Sequence, residues 1–194
     1  MRLLTEHVKP DTFLPRIMKA ALVLFVEKGI DGATIKDIAK RAKVSEGALY
    51  RHFASKDELA WHLFSTHLAA FTAHLNATVF AHETAQERVR AFVSECFKAF
   101  DEHQNLFTFL ILSEHRELKK FQGRGPHPGH LILRIIREGQ HAGEISPGDP
   151  YVLGSLALGG IIRTCVVRMY GGITKSLAAC EREVADRLWS MLAR

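Results

Sequence analysis

Residues 34–56 read TIKDIAKRAKVSEGALYRHFASK. Thr34 is suited to cap a helix, because its hydroxyl accepts a bond from an unpaired amide of the first turn. Ile35, Ile38, Ala39 and Ala42 then recur at helical spacing and give a short helix one apolar face. Lys43-Val44 makes a tight connection, and Ser45 is a second cap. Beyond it Leu49 and Phe53, four apart, point inward, while Tyr50, Arg51 and His52 present polar tips. Two short capped helices joined by a short turn are the pattern of a helix-turn-helix.

Charge is concentrated on the same stretch. Lys36, Lys40, Arg41, Lys43, Arg51 and Lys56 face only Asp37 and Glu46, a surplus of four against +5 for all 194 residues. The cationic excess therefore lies where a polyanion would dock. A solvated helix pair also carries charge. It is the order of caps, apolar positions and turn that singles out a duplex-binding motif.

The flanks fit a helical chain. A first helix is expected from Thr12 to Lys28, with Pro15 in its first turn, Ile17, Ala20, Ala21, Leu24 and Phe25 inward, and Gly29 as the residue that ends it. Residues 1–11 read as a flexible arm. Ser55 with Glu58 forms a capping-box pattern, opening a long helix from Lys56 to about Phe80 whose stripe is Leu59, Leu63, Phe64, Leu68, Phe71, Leu75 and Val79. Further helices are expected over Thr84 to about Asp101, Asn105 to about Phe121 and Leu131–Gln140. The run GRGPHPG (Gly123–Gly129) is the plainest break, and GEISPGDP a compact turn. Two final helices, Tyr151–Tyr170 and Thr174–Leu192, are apolar. The first is rich in Gly154, Ser155, Ala157, Gly159 and Gly160, which let helix backbones approach closely, and the pair is suited to a four-helix contact between two subunits.

Composition narrows the class. Cys96, Cys165 and Cys180 are too few and too irregular for a disulfide framework, so a reducing cytosol is the default. The first residues show no export signal, and the run Tyr151–Ile162, stopped by Arg163, is shorter than the ~18 uncharged residues that a bilayer requires. The expectation is a cytoplasmic protein without a membrane partner.

The segment Ile17–Leu59 resembles the N-terminal domain of the TetR family of bacterial transcription regulators. The matching pieces are Ala20-Ala21, Leu24-Phe25, Gly29, Thr34-Ile35, Asp37-Ile38-Ala39, Ala42, Val44-Ser45, Leu49-Tyr50, His52-Phe53 and Ser55-Lys56. The resemblance implies an all-α, TetR-like protein: a three-helix head over 12–55 and a helical effector-binding and dimerisation body over 56–194. It places base contacts on Lys36 and on the recognition helix opened by Ser45, namely Glu46, Gly47 and Ala48. Tyr50, His52 and Lys56 look like the family's phosphate clamp, with Arg51 reaching a base or a phosphate. Chemistry agrees with each: Lys36 can donate to guanine, Glu46 can accept from cytosine or simply face the helix dipole, and Ala48 can touch a thymine methyl. One departure stands out. The family often has Gly where this chain has Lys43, so the turn either avoids positive φ or is strained.

No nucleophile motif, phosphate loop or dinucleotide fingerprint occurs, so no enzyme and no cofactor are expected. The histidines lack metal-ligand spacing within a helix, so no metal is expected either. Phe71, Leu75, Phe92, Cys96, Phe107, Leu110, Phe121, Arg163 and Val167 are the candidate effector pocket: apolar residues and one guanidinium, on helices that must pack together. Plain core is the competing reading for each ring. Arg163 breaks an apolar face and, if buried, needs a counter-charge. The function expected is a repressor that binds a palindromic duplex operator as a homodimer and is released by a small, largely apolar effector. The alternatives are an activator or corepressor-dependent regulator of the same fold, then a metal or redox sensor.

Overall fold

A computed structural model describes residues 13–121 and 125–194, with the side chains of His115, Leu118 and Phe121 outside that description. The expected arm and part of the GRGPHPG link therefore lie outside the described residues. Among those described, the helices are α1 (Phe13–Gly32), α2 (Ile35–Ala42), α3 (Glu46–Tyr50), α4 (Lys56–Val79), α5 (Ala85–Glu102), α6 (Gln104–Phe121), α7 (Pro128–His141), α8 (Pro150–Met169) and α9 (Glu181–Leu192). The one β feature among them is an isolated antiparallel bridge between Ile145 and Ala193. Packing groups the chain into two compact units, Met1–Ala70 with Asn105–Arg124 and Phe71–Gln104 with Gly125–Arg194.

In the first unit the caps form as the sequence predicts. The Thr34 hydroxyl accepts from the Asp37 amide at 3.0 Å, and the Ser45 hydroxyl accepts from Ala48 at 3.1 Å. Gly29 adopts φ 72, and Ile30 returns to the core at 8 % exposure. Gly29, with ψ 165, is non-helical and breaks the helix where the sequence predicts, and a short helical turn follows as far as Gly32. Ile17, Ala21, Phe25, Ile38, Leu49, Leu59 and Leu63 form one buried cluster with Leu106, Phe109 and Leu110 of α6. Phe25 and Phe109 stack with centroids 5.8 Å apart. The head is thus closed by a helix that lies far beyond it in sequence.

Ion pairs reinforce that closure. The Arg116 guanidinium of α6 donates to Asp31 and to Asp57, each at 2.6 Å. Hydrogen bonding and charge from Arg116 hold the Asp31 carboxyl below the usual carboxylate range. This contribution to stability is complete above that range and is lost as pH falls through the lowered value. Beside it Glu117 is fully buried, receives a bond from Lys120 Nζ at 2.7 Å, and has Arg116 Nε 3.5 Å away. Withdrawing a carboxylate from water is costly unless cations of this kind pair with it. Lys120 also lies over the Trp61 ring at 5.5 Å.

The second unit is built from α5, α7, α8, α9 and the end of α4. Thr84 and Glu87 make a complete capping box on α5. The Asp101 carboxylate accepts from the Leu177 and Ala178 amides at 3.2 and 3.0 Å, capping a short 3-10 turn over Ala178–Cys180. This corrects the expected start at Thr174: α9 begins only at Glu181, because the preceding amides are claimed by a carboxylate distant in sequence. Arg134 stacks over Phe80 at 3.8 Å and shares Glu138 with Arg88. On α8 the small residues divide. A side chain at Gly154 would press on Leu133 at 3.0 Å and one at Gly160 on Leu188 at 3.3 Å, whereas Gly159 faces open space. Pro150–Met169 is long and apolar enough by length and composition to cross a membrane. It reaches that length by running through Arg163, where the shorter reading stopped, and it packs here against α7 and α9.

Gly139 of α7 marks the tightest approach in this unit: an added Cβ would lie 2.6 Å from Ile145 Cδ1 and 2.9 Å from Ala85 Cβ. Gly139→Ala should therefore destabilise the protein by about 1–3 kcal/mol, the usual range for overpacking. Urea unfolding followed by circular dichroism measures this, and an unchanged midpoint would contradict the packing described.

Candidate nucleic-acid interface

The local order of α2, turn and α3 determines which side chains are available. Lys36 of α2 is exposed, as are Ser45, Glu46, Gly47, Arg51 and His52 on and around α3, and Tyr50 is 52 % exposed. Ala48 departs from expectation. It is 4 % exposed, packed inward beside Leu49, because the helix turn that presents Glu46 and Gly47 outward carries position 48 to the core side. It has no surface to offer a thymine methyl in this arrangement.

Lys56 is also engaged differently from a free phosphate ligand. Its Nζ donates to the carbonyls of Asp31 and Ala33 at 3.1 and 2.8 Å, tying the start of α4 to the end of α1. An ammonium has three donors, so one remains. At the same end Ser55 Oγ accepts from Glu58 N at 3.0 Å. The Glu58 carboxylate reaches back to Ala54 N at 2.6 Å, one residue earlier than the capping box predicts. His52 and Phe53 line a cleft of about 280 Å³ with Glu58, Trp61 and His62.

The cations are unequally committed. Arg41 makes a two-point bond to Glu27 at 2.8 and 3.3 Å. Lys28 pairs with Asp37 at 3.3 Å, and that bond with the Thr34 hydroxyl keeps the Asp37 carboxyl below its usual range. Lys36, Lys40, Lys43 and Arg51 are exposed. A second cleft, of about 380 Å³, is lined by Arg16, Lys19, Ala20, Val23, Arg41, Ala42 and Lys43. Arg16 and Lys19 went unremarked in the sequence. Their spacing of three on α1 was the available signal, but their position beside the turn depends on tertiary packing.

The residues named for an effector pocket are distributed over both units. In the second, Phe71, Leu75, Phe92 and Cys96 are buried, Val167 is half-buried, and Arg163 is exposed. The Arg163 guanidinium thus stays in water and needs no buried counter-charge. In the first, Leu110 belongs to the head's core cluster and Phe107 is buried, while the Phe121 side chain lies outside the described residues. Burial pushes the Cys165 thiol up to about 12 and raises Cys96 well above the ordinary thiol value, which suppresses the thiolate needed for redox chemistry. Among the described residues no group of three His, Cys, Asp or Glu side chains is placed to hold a metal ion. His127 instead caps α7, its Nδ1 accepting from Gly129 N at 2.9 Å.

Residues 17–63 match the family model described as "Bacterial regulatory proteins, tetR family". The transcriptional repressor KstR2 of Mycobacterium tuberculosis is 31 % identical over 87 residues, covering 45 % of this chain; the chain spans under half, 44 %, of that relative's length. The fatty acid metabolism regulator protein of Bacillus subtilis is 25 % identical over 180 residues, covering 90 % of this chain and 93 % of its own. Among solved structures, FadR from Bacillus subtilis in complex with stearoyl-CoA superimposes with a TM-score of 0.79 at 23 % identity, over 90 % of this chain and 97 % of that one. KstR2 of Mycobacterium tuberculosis does so with a TM-score of 0.73 at 18 % identity, covering 98 % of this chain and 99 % of that one. Residues 17–63, the helix-turn-helix head, thus carry a match to the TetR family of bacterial regulatory proteins, and the helical fold of FadR continues along 90 % of the chain.

Proposed function

We propose that the chain is a transcriptional repressor that binds an inverted-repeat operator as a homodimer and leaves it when a small, largely apolar effector binds. The observation that carries this reading is the exposed row Lys36, Glu46, Tyr50, Arg51 and His52 around a recognition helix fixed by the Thr34 and Ser45 caps. Lys36 and Glu46 read base edges. Tyr50, His52 and the remaining donor of Lys56 hold phosphate at the other end of α3.

Two features of the second unit support a dimer through α8 and α9. Val152 and Leu156, 55 and 53 % exposed, fall in one stripe of α8 with Gly159 and Arg163, and Met191 of α9 is 39 % exposed. Gly159 has no packing duty within the chain, unlike Gly154 and Gly160. Support for the effector class comes from FadR, whose structure holds stearoyl-CoA. A long acyl chain suits a phenylalanine-rich body.

Selection of bound fragments from a random duplex pool tests the operator. The expected product is an inverted repeat whose half-sites lie about 34–36 Å apart, or a multiple of that. Recovery of no palindrome at moderate salt would defeat the reading. On the selected duplex, Tyr50→Ala and His52→Ala should weaken matched and mismatched sites alike. Lys36→Ala and Glu46→Ala should redistribute preference at single base pairs, each pair being worth about 1–3 kcal/mol. Equal loss on all sequences for Lys36→Ala would reduce it to a phosphate contact.

An effector acts only through its difference in affinity for the two states of the protein. Stearoyl-CoA added to the operator complex should raise the apparent dissociation constant about 5–150-fold, the usual range of such coupling. Fluorescence anisotropy reads this directly, and an unchanged or tighter complex would exclude a long acyl-CoA as the releasing ligand.

A further inference from the structure

Lys43 is, among the described residues, the single non-glycine with positive φ, at φ 55 and ψ 50 in the left-handed region. It ends α2, its amide reaching the carbonyls of Ala39 and Lys40. Glycine occupies such a position without strain, so a side chain here is a local disadvantage that needs a compensating role. Packing does not supply one, for the Lys43 side chain is exposed. It stands instead on the rim of the cleft shared with Arg16, Lys19 and Arg41.

The arrangement around it is ordered. Arg16 donates from its guanidinium to the Lys43 carbonyl at 3.0 Å, which ties the start of α1 to the turn that precedes α3. Arg41 on the same rim is already neutralised by Glu27. Lys19 and Lys43 keep their charge for an outside partner. A recognition helix lies in a major groove about 12 Å wide, with a phosphate strand along each side. Docked in this way, the Tyr50–His52 end of α3 would lie toward one strand and the turn, at the opposite end, toward the other.

We infer that Lys43, with Lys19 and Arg16, forms a second phosphate-binding edge of the head, separate from the clamp at Tyr50 and His52. It deepens the DNA-binding reading and rests on it. Contacts of this kind carry no sequence information, but each phosphate neutralised releases counterions and steepens the salt dependence of binding.

The experiment uses the full chain and a mixed-sequence duplex, with affinity measured across a salt series. Lys43→Gly should flatten the slope of log affinity against log salt by about one unit, and the Lys19→Ala/Lys43→Gly double variant by about two. Lys43→Arg keeps the cation and should keep the slope. Lys43→Gly should also melt about 2–4 °C higher, since it relieves the left-handed side chain, so weaker binding cannot be ascribed to misfolding. Parental slopes in Lys43→Gly and in the double variant would overturn the second edge. Absence of any salt-dependent duplex binding by the parent protein would instead overturn the DNA-binding reading beneath it.

Discussion

The stacked rings of Phe25 and Phe109 hold the key position in the first unit. They join the first helix of the head to the middle of α6, and around them Ile38, Leu49, Leu63, Leu106 and Leu110 lose contact with water. Burial of side chains of this size contributes roughly 1.5–3 kcal/mol each before conformational entropy is subtracted. The α3 helix has five residues and is far too short to persist alone. Its geometry is therefore inherited from that cluster through Leu49, beside which Ala48 is also buried. The inward turn of Ala48 is the same fact seen from the DNA side: a residue that anchors the helix is unavailable to a base.

Formal charge and available charge differ in this head. Counting residues gives a surplus of four between Thr34 and Lys56, yet Arg41 is matched by Glu27 and two donors of Lys56 are turned onto carbonyls. What remains is a frame of Lys36, Lys40, Lys43 and Arg51 with Lys19 added from α1. Charge composition counts all of these alike, while the structure separates the cations already paired within the chain from those left exposed.

Much of the head was legible because its determinants are local. Caps at Thr34 and Ser45 act over three residues, and the apolar spacing of Ile38, Ala39, Ala42 and Leu49 repeats within one helical turn. The long α4 was read from its stripe for the same reason. Illegible features depend on partners remote in sequence. Asp101 withdraws the amides of Leu177 and Ala178 from a longer final helix, and Glu144 caps α5 through Ala85 from farther along the chain. The apolar neighbours of Arg163 left its burial open in the sequence, and it is exposed because its helix stripe is itself at the surface, as Val152, Leu156 and Gly159 show. An apolar stretch records that something is to be covered, and a single chain does not reveal by what.

Arg116 has a bearing on how such proteins can be recombined. Its fork grips the last residues of α1 and the first of α4, and its helix supplies Leu106, Phe109 and Leu110 to the core below. A head excised at the end of the helix-turn-helix would leave Asp31 and Asp57 without their cation and open the floor under Phe25. The transplantable module is consequently discontinuous: the first seventy residues together with α6. Exchange of the head between proteins of this fold would have to move both pieces, or else match the new head to the resident α6 at the core contacts of Leu106, Phe109 and Leu110.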